Sequence, residues 1–204
     1  MTRGYHHGDL RNALIVSAAE LIEESGSPDF AISDAAKRAG VSAAAPYRHF
    51  KDRSELLEAV SDLCVLGLTQ TALETREQYP LGSRECIIAL GQSYLAYVAG
   101  RPAFYNLMWD ERQHLPEGAE AGTDEATPKG FSIFAESVER WCEQRQLEHC
   151  DARDLAVKLW AMAHGLAVLS INGKLDTVLP NSDLPEMLAS SANTFLDGVE
   201  QSHQ

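Results

Sequence analysis

Residues 35–50, AAKRAGVSAAAPYRHF, constrain this chain more than any other stretch. They read as a short helix, a turn containing Gly40, and a second short helix ending in Tyr47-Arg48-His49-Phe50. That is the outline of a helix-turn-helix, whose second helix lies in a DNA groove. Ser33 is placed to cap the first helix, and Asp34 suits the positive end of its dipole. Ala35, Ala36 and Ala39 are small enough for two helices to approach closely. Gly40 stands where the helix must stop, in a left-handed conformation that costs glycine nothing. Val41 is placed to plug the core beneath the turn, and Ser42 to cap the second helix. Pro46 lies within about one turn of that helix's start, where its missing N–H matters least. The second helix is therefore expected to be short and distorted at its beginning.

Charge in this stretch runs against the rest of the chain. Lys37, Arg38, Arg48, Lys51 and Arg53 face a single anion, Asp52, whereas the whole chain carries a formal charge of −13. A basic patch on an acidic protein can neutralise phosphates while the acidic remainder discourages indiscriminate binding. A merely solvated basic face is the alternative; the turn spacing and Tyr47 argue against it.

With 204 residues, 45% of them hydrophobic, the chain can bury a sizeable core. No run of about 18 apolar residues is present, so no membrane span is expected. The N-terminus lacks the apolar middle of a signal peptide, and a cytoplasmic location is expected. Cys64, Cys86, Cys142 and Cys150 are scattered, without CxxC pairs, and are expected as buried or incidental thiols. His6-His7 is expected in an arm near DNA. No cofactor and no metal site are expected.

The hydrophobic period is helical almost throughout, giving an all-α fold. Helices are expected over about 9–25, from 52 to about 77, and over 83–99, 102–112, 131–145, 152–172 and 183–200. Leu10, Leu14, Ala18, Leu21 and Ile22 form the buried stripe of the first. Asp52 and Glu55 have capping-box spacing. Residues 116–130 are expected as a loop. The chain is expected to divide into 1–55, which carries the helix-turn-helix, and 56–204, a larger helical part.

Residues 5–60 resemble the DNA-binding domain of TetR-type transcriptional regulators. The resemblance rests on Glu23-Glu24-Ser25-Gly26 ending the first helix, the turn Ala39-Gly40-Val41-Ser42, and Tyr47-Arg48-His49-Phe50 followed by Lys51-Asp52-Arg53-Ser54-Glu55-Leu56-Leu57. Trp160-Ala161-Met162-Ala163-His164-Gly165 resembles the Trp-His-Gly signature of the WHG subgroup, as does the opening Tyr5-His6-His7-Gly8-Asp9-Leu10-Arg11. Ala44-Ala45-Pro46-Tyr47 departs from the Gly-Thr before Leu-Tyr that is frequent in the family, and Arg53 stands where lysine is common. The resemblance implies an all-helical homodimer, with a three-helix DNA-binding domain over 1–55 and a larger effector-binding and dimerisation domain of about six helices over 56–204, that represses transcription and leaves a palindromic double-stranded operator when a small molecule binds.

Within that frame Tyr47, His49 and Arg53 are expected at phosphate, and Arg48 at a guanine edge through two hydrogen bonds. Ser42, Ala43, Ala44 and Ala45 let the backbone approach the groove. Lys37, Arg38 and Lys51 are expected on the flanking backbone. A packing role for Tyr47 and a helix-end cap for His49 are the alternatives.

For dimerisation the last two long helices offer Leu155, Leu159, Met162, Leu166 and Leu169 opposite Leu188, Phe195, Leu196 and Val199, which could equally fill a protomer's own core. An apolar or aromatic effector would find Tyr94, Tyr97, Phe104, Tyr105 and Met108 along one part of the chain. Trp109, Phe131, Phe134, Trp160 and His164 complete that set, with ordinary core packing as the alternative. His164 and the group Asp110, Glu111 and His114 lack any recognised catalytic or metal-ligand spacing, and no GxSxG, P-loop or Rossmann glycine pattern is present. The chain is therefore not expected to be an enzyme. A helical interaction adaptor, with an incidental basic turn, is the remaining rival.

Overall fold

The structure is a computed structural model that describes residues 10–109 and 127–202. His6-His7, the opening motif up to Asp9, Asp110, Glu111 and His114, and residues 116–126 of the expected loop lie outside the described residues. Among the described residues there are helices and turns but no strand. The nine α-helices are α1 (Leu10–Ser25), α2 (Ile32–Arg38), α3 (Arg53–Arg76), α4 (Arg84–Ala99), α5 (Pro102–Met108), α6 (Lys129–Gln144), α7 (Ala152–Ile171), α8 (Lys174–Val178) and α9 (Leu184–Gln201). One 3-10 turn, Pro46–Arg48, separates α2 from α3. Most expected helices are present within one or two residues; the exceptions are the second helix of the helix-turn-helix, which is the 3-10 turn, and the helix expected over 102–112, which stops at Met108, while α8 is an addition.

By contact the chain divides into two compact units, Met1–Leu66 with Arg101–Gln113, and Gly67–Gly100 with His114–Gln204. In the first, Leu10, Leu14, Ala18 and Ile22 of α1 are buried together with Ala35 and Ala36 of α2 and Phe50, Leu56 and Val60. α1 packs on α2 and α5. Ala35 and Ala36 are fully buried, as close helix approach requires. Asp52 caps α3 through Glu55 N at 3.1 Å, and the Glu55 carboxylate returns to Lys51 N. The expected capping box therefore exists, with its return bond one residue early.

In the second unit α4 packs on α6, α7 and α9, and α7 on α6, α8 and α9. Ile87, Val138, Trp141, Cys142, Leu155, Leu159 and Leu196 form one core cluster, and Ala72, Cys86 and Leu90 a smaller one. Asp151 and Asp183 cap α7 and α9. Arg84 bridges Asp197 and Glu200, tying α4 to the end of α9. All four cysteines are free thiols.

α3 and α7 are long and apolar enough to cross a membrane by length and composition, which the count of consecutive apolar residues did not reveal. Only 28% of each such stretch is buried within the chain. The surplus apolar surface of α7 bears on assembly below.

Candidate nucleic-acid interface

The turn between α2 and the 3-10 element is built as expected in its first half and differently in its second. α2 begins one residue before Ser33, so Ser33 is not its cap. Asp34 instead accepts from Ala31 N at 2.9 Å, doing from inside the helix what a cap does from outside. At the other end Val41 N reaches Ala36 O at 2.9 Å and Gly40 N reaches Lys37 O at 3.1 Å. This paired bonding closes a helix through a left-handed residue, and Gly40 takes it at φ +73°.

The expected second helix is not an α-helix. Ala45 N bonds to Ser42 O, Arg48 N to Ala45 O and His49 N to Pro46 O, each a three-residue step. The reason is Pro46. It has no N–H to give Ser42 O, so a four-residue ladder started at Ser42 cannot run through it. Ser42 caps no helix. The element that carries Tyr47 and Arg48 is a single tight turn, with Pro46 and Phe50 buried beneath it.

The turn presents its polar residues outward. Tyr47 is 59% exposed, so the packing alternative fails for it. Arg48, Lys51, Lys37, Ser42, Ala43 and Ala44 are exposed, while Ala45 and His49 are half-buried. Phenol, guanidinium and ammonium groups therefore face solvent together within a few residues, as phosphate and base-edge contacts require.

Two of the expected DNA contacts have partners within the chain itself. Arg38 pairs with Glu24 and with Glu20, the latter at 3.2 Å, joining α2 to α1. Its hydrogen bond to Glu24 holds that carboxyl below the usual range and lifts the guanidinium further. Arg53 donates from Nε to Phe30 O at 2.8 Å and from Nη2 to Pro28 O, with its guanidinium 5.5 Å from the centre of the Phe30 ring. The partners Glu20, Glu24, Pro28 and Phe30 were not anticipated. The four-residue spacing of Glu20 and Glu24 on α1 was the only signal for the first pair. No local pattern points to carbonyls more than twenty residues away.

The expected effector residues divide between the units. In the second, Tyr94 Oη and His164 Nδ1 lie 2.7 Å apart, and the Trp160 ring is 5.5 Å from His164 and 5.7 Å from Phe131, which it meets edge-on. Phe131 and Phe134 also flank the core cluster. Burial pushes His164 below its ordinary value, which favours the neutral ring. In its Nε2–H tautomer, Nδ1 accepts a hydrogen bond from the Tyr94 hydroxyl. Tyr97 belongs to the same unit, with its hydroxyl against Gly67 of α3. Phe104, Tyr105, Met108 and Trp109 belong to the first unit. There Phe104 and Met108 are buried and the Tyr105 and Trp109 rings are 6.5 Å apart. An open groove of about 570 Å³ runs along the start of α7 and the end of α9, lined by Cys150, Asp154, Lys158, Thr194, Phe195 and Gly198 among others. None of the ten expected effector residues lines it.

A glycine-closed turn with a basic, aromatic face, joined to a larger helical body, defines a DNA-binding transcriptional regulator of the helix-turn-helix class. Family comparison makes this specific. Residues 14–60 match the family model described as bacterial regulatory proteins, tetR family, and residues 87–191 match the tetracyclin repressor-like C-terminal domain. The chain belongs to the TetR family. It is similar over 97% of its length to a protein of unknown function from Rhodococcus sp. RHA1, at 26% identity, 98% coverage of that chain and a TM-score of 0.77. It shares its fold with the TetR family regulator PfmR from Thermus thermophilus, at 19% identity, coverage of 88% and 94%, and a TM-score of 0.59. A TetR family regulator from Marinobacter aquaeolei gives 17%, 91% and 93%, and 0.57. Comparison with curated proteins finds no match.

Proposed function

We propose that this regulator acts as a repressor in the cytoplasm, binding a palindromic operator as a homodimer and leaving it when an apolar or aromatic effector binds. The observation that carries the DNA contact is the outward cluster of Tyr47, Arg48 and Lys51 behind the Gly40 turn. Arg48 reads a base edge, and Tyr47, Lys51 and Lys37 hold phosphates. Ser42 to Ala45 form the close backbone approach. His49, half-buried, supports the turn and reaches phosphate only at its rim.

For the dimer, four of the leucines considered from sequence, Leu155, Leu159, Leu188 and Leu196, are buried in the protomer's own core. The face left over on α7 is Val157, Ala161, Gly165 and Leu169; on α9 it is Ser190, Ser191, Thr194 and Gly198. A Cβ placed on Gly165 or Gly198 meets nothing within 4 Å. Both helices thus offer an open, small-residue surface, and filling it with the same surface of a second copy explains the apolar excess of α7. For the effector, Trp160, Phe131, Tyr94 and His164 combine ring faces with one polar pair, a composition suited to orienting a flat apolar molecule. Trp160 beside His164 also supports membership of the Trp-His-Gly subgroup.

The test is selection of bound duplexes from a random DNA pool, followed by gel shift in the presence of small aromatic compounds. Recovery of an inverted repeat, released by at least one compound, is expected. No enrichment of any sequence would leave the adaptor reading in its place. Enrichment without release by any apolar compound would remove the effector claim alone.

A further inference from the structure

Arg53 is the first residue of α3, and the carbonyls it binds, Pro28 O and Phe30 O, lie in the connection between α1 and α2. One guanidinium therefore joins the two ends of the segment that contains the whole helix-turn-helix, residues 31–52. The fork geometry is needed. Two donors reach two carbonyls at once while the plane lies over the Phe30 ring, and a lysine ammonium groups its donors on one nitrogen in place of the spaced planar fork. The side chain is half-buried rather than extended into solvent. We propose that Arg53 is a positioning residue for operator recognition. It sets the register of the Tyr47-Arg48 turn against α1, and does so through the 28–30 carbonyls rather than through DNA phosphate.

This rests on the DNA-binding reading above, and its consequences are separable from it. A phosphate contact responds to charge. Losing one lowers the dependence of log affinity on log salt by about 0.9 per contact, and lysine substitutes well. A positioning contact responds to geometry. The salt dependence stays, lysine fails, and the loss falls on the preferred sequence because base contacts tolerate misplacement less than a diffuse phosphate attraction does.

The experiment compares wild type, Arg53→Lys and Arg53→Ala on a duplex recovered from the random pool and on a scrambled duplex. It is run across a salt series, at a temperature where circular dichroism shows each protein folded. The expected result is a loss of about tenfold or more in the preference for the recovered duplex in both variants, with unchanged salt dependence. Arg53→Lys, which keeps the charge, carries the test if Arg53→Ala does not fold. Near-normal binding by Arg53→Lys overturns the proposal in favour of a phosphate contact. Reduced thermal stability with an unchanged preference overturns it in favour of a purely structural tie. Failure of wild type to recover any duplex would sink the DNA-binding reading itself.

Discussion

Gly82 and Gly173 pose a controlled comparison inside one compact unit. Both have positive φ, +80° and +64°, so an alanine at either suffers the same kind of backbone strain, about 1–2 kcal/mol. Their surroundings differ. A Cβ on Gly173 meets nothing within 4 Å, whereas on Gly82 it would sit 2.8 Å from Arg140 Cβ and 2.9 Å from the Arg140 backbone carbon. The third neighbour, Gln144 Nε2 at 2.7 Å, can swing away, but only by giving up its 3.0 Å bond to Leu81 O. Arg140 lies inside α6 and cannot yield without moving the helix. Overpacking of this kind adds about 1–3 kcal/mol, and the lost bond about 1 kcal/mol more. Gly173→Ala should then lower Tm by about 3–5 °C and Gly82→Ala by about 10 °C, at about 2–4 °C per kcal/mol for a chain of this size. Thermal melts followed by far-ultraviolet circular dichroism, with urea titrations as a check, measure both. Equal shifts would refute the claim that α6 packs immovably beneath Gly82.

Arg38→Ala should leave the salt dependence of DNA binding unchanged, because its cation is occupied by Glu20 and Glu24; a slope reduced by about 0.9 per protomer would place Arg38 on phosphate instead. Gly165→Leu should leave the protomer folded, since its Cβ has open space, yet weaken the dimer by at least about tenfold through overpacking, seen as a shift toward monomer in sedimentation equilibrium. His164 titrates below its ordinary value in the fold because of burial, so its contribution is complete above the unfolded value of about 6.5 and is lost as pH falls through and below it. Urea midpoints at neutral and mildly acidic pH should therefore diverge more for wild type than for His164→Asn, and identical pH dependence would refute this. The Cys64 and Cys142 thiols, both pushed up to about 11 mainly by burial, should alkylate at least about tenfold more slowly in the native than in the denatured protein at mildly alkaline pH.

The helices were legible because their signals are local. Gly40 in a left-handed turn, Asp52 with Glu55, and the α1 stripe each depend on local spacing; Gly40 stands as read, the stripe buries Leu10, Leu14, Ala18 and Ile22 but leaves Leu21 half-buried, and Glu55 accepts from Lys51 N instead of Asp52 N. The second half of the helix-turn-helix was misread because Pro46 was weighed by its distance from a helix start. What decides is the carbonyl it leaves unpaired in a four-residue ladder, that of Ser42. The internal partners of the arginines are hidden from the sequence for a different reason. Whether an arginine faces solvent or a carboxylate depends on residues far along the chain, and Arg38 and Arg53 find their partners 14 to 25 positions away. The same holds for the leucines of α7 and α9. Their period marks a buried stripe, but it does not say whose core buries it. Leu155 and Leu196 turn out to serve the protomer.

With Arg38 paired to Glu20 and Glu24 and Arg53 bonded to backbone carbonyls, the proposed interface relies, within residues 35–53, on Lys37, Arg48 and Lys51, on a chain whose formal charge is −13. So few charges, working against a net repulsion, make a poor generic DNA binder at physiological salt, where screening acts beyond about 8 Å. On the proposed reading, affinity has to come from contacts that need correct placement, Arg48 at a base edge and Tyr47 at a phosphate, and from presenting them twice in a homodimer. Such a site gains from an internal tie like Arg53 in proportion to how little it can rely on charge. It would also give the proposed effector an easy lever. In the proposed homodimer, a small change in the separation of the two recognition turns would forfeit the placed contacts of one half-site, and the three cations of Lys37, Arg48 and Lys51 would hold too little residual attraction to keep the protein on the duplex.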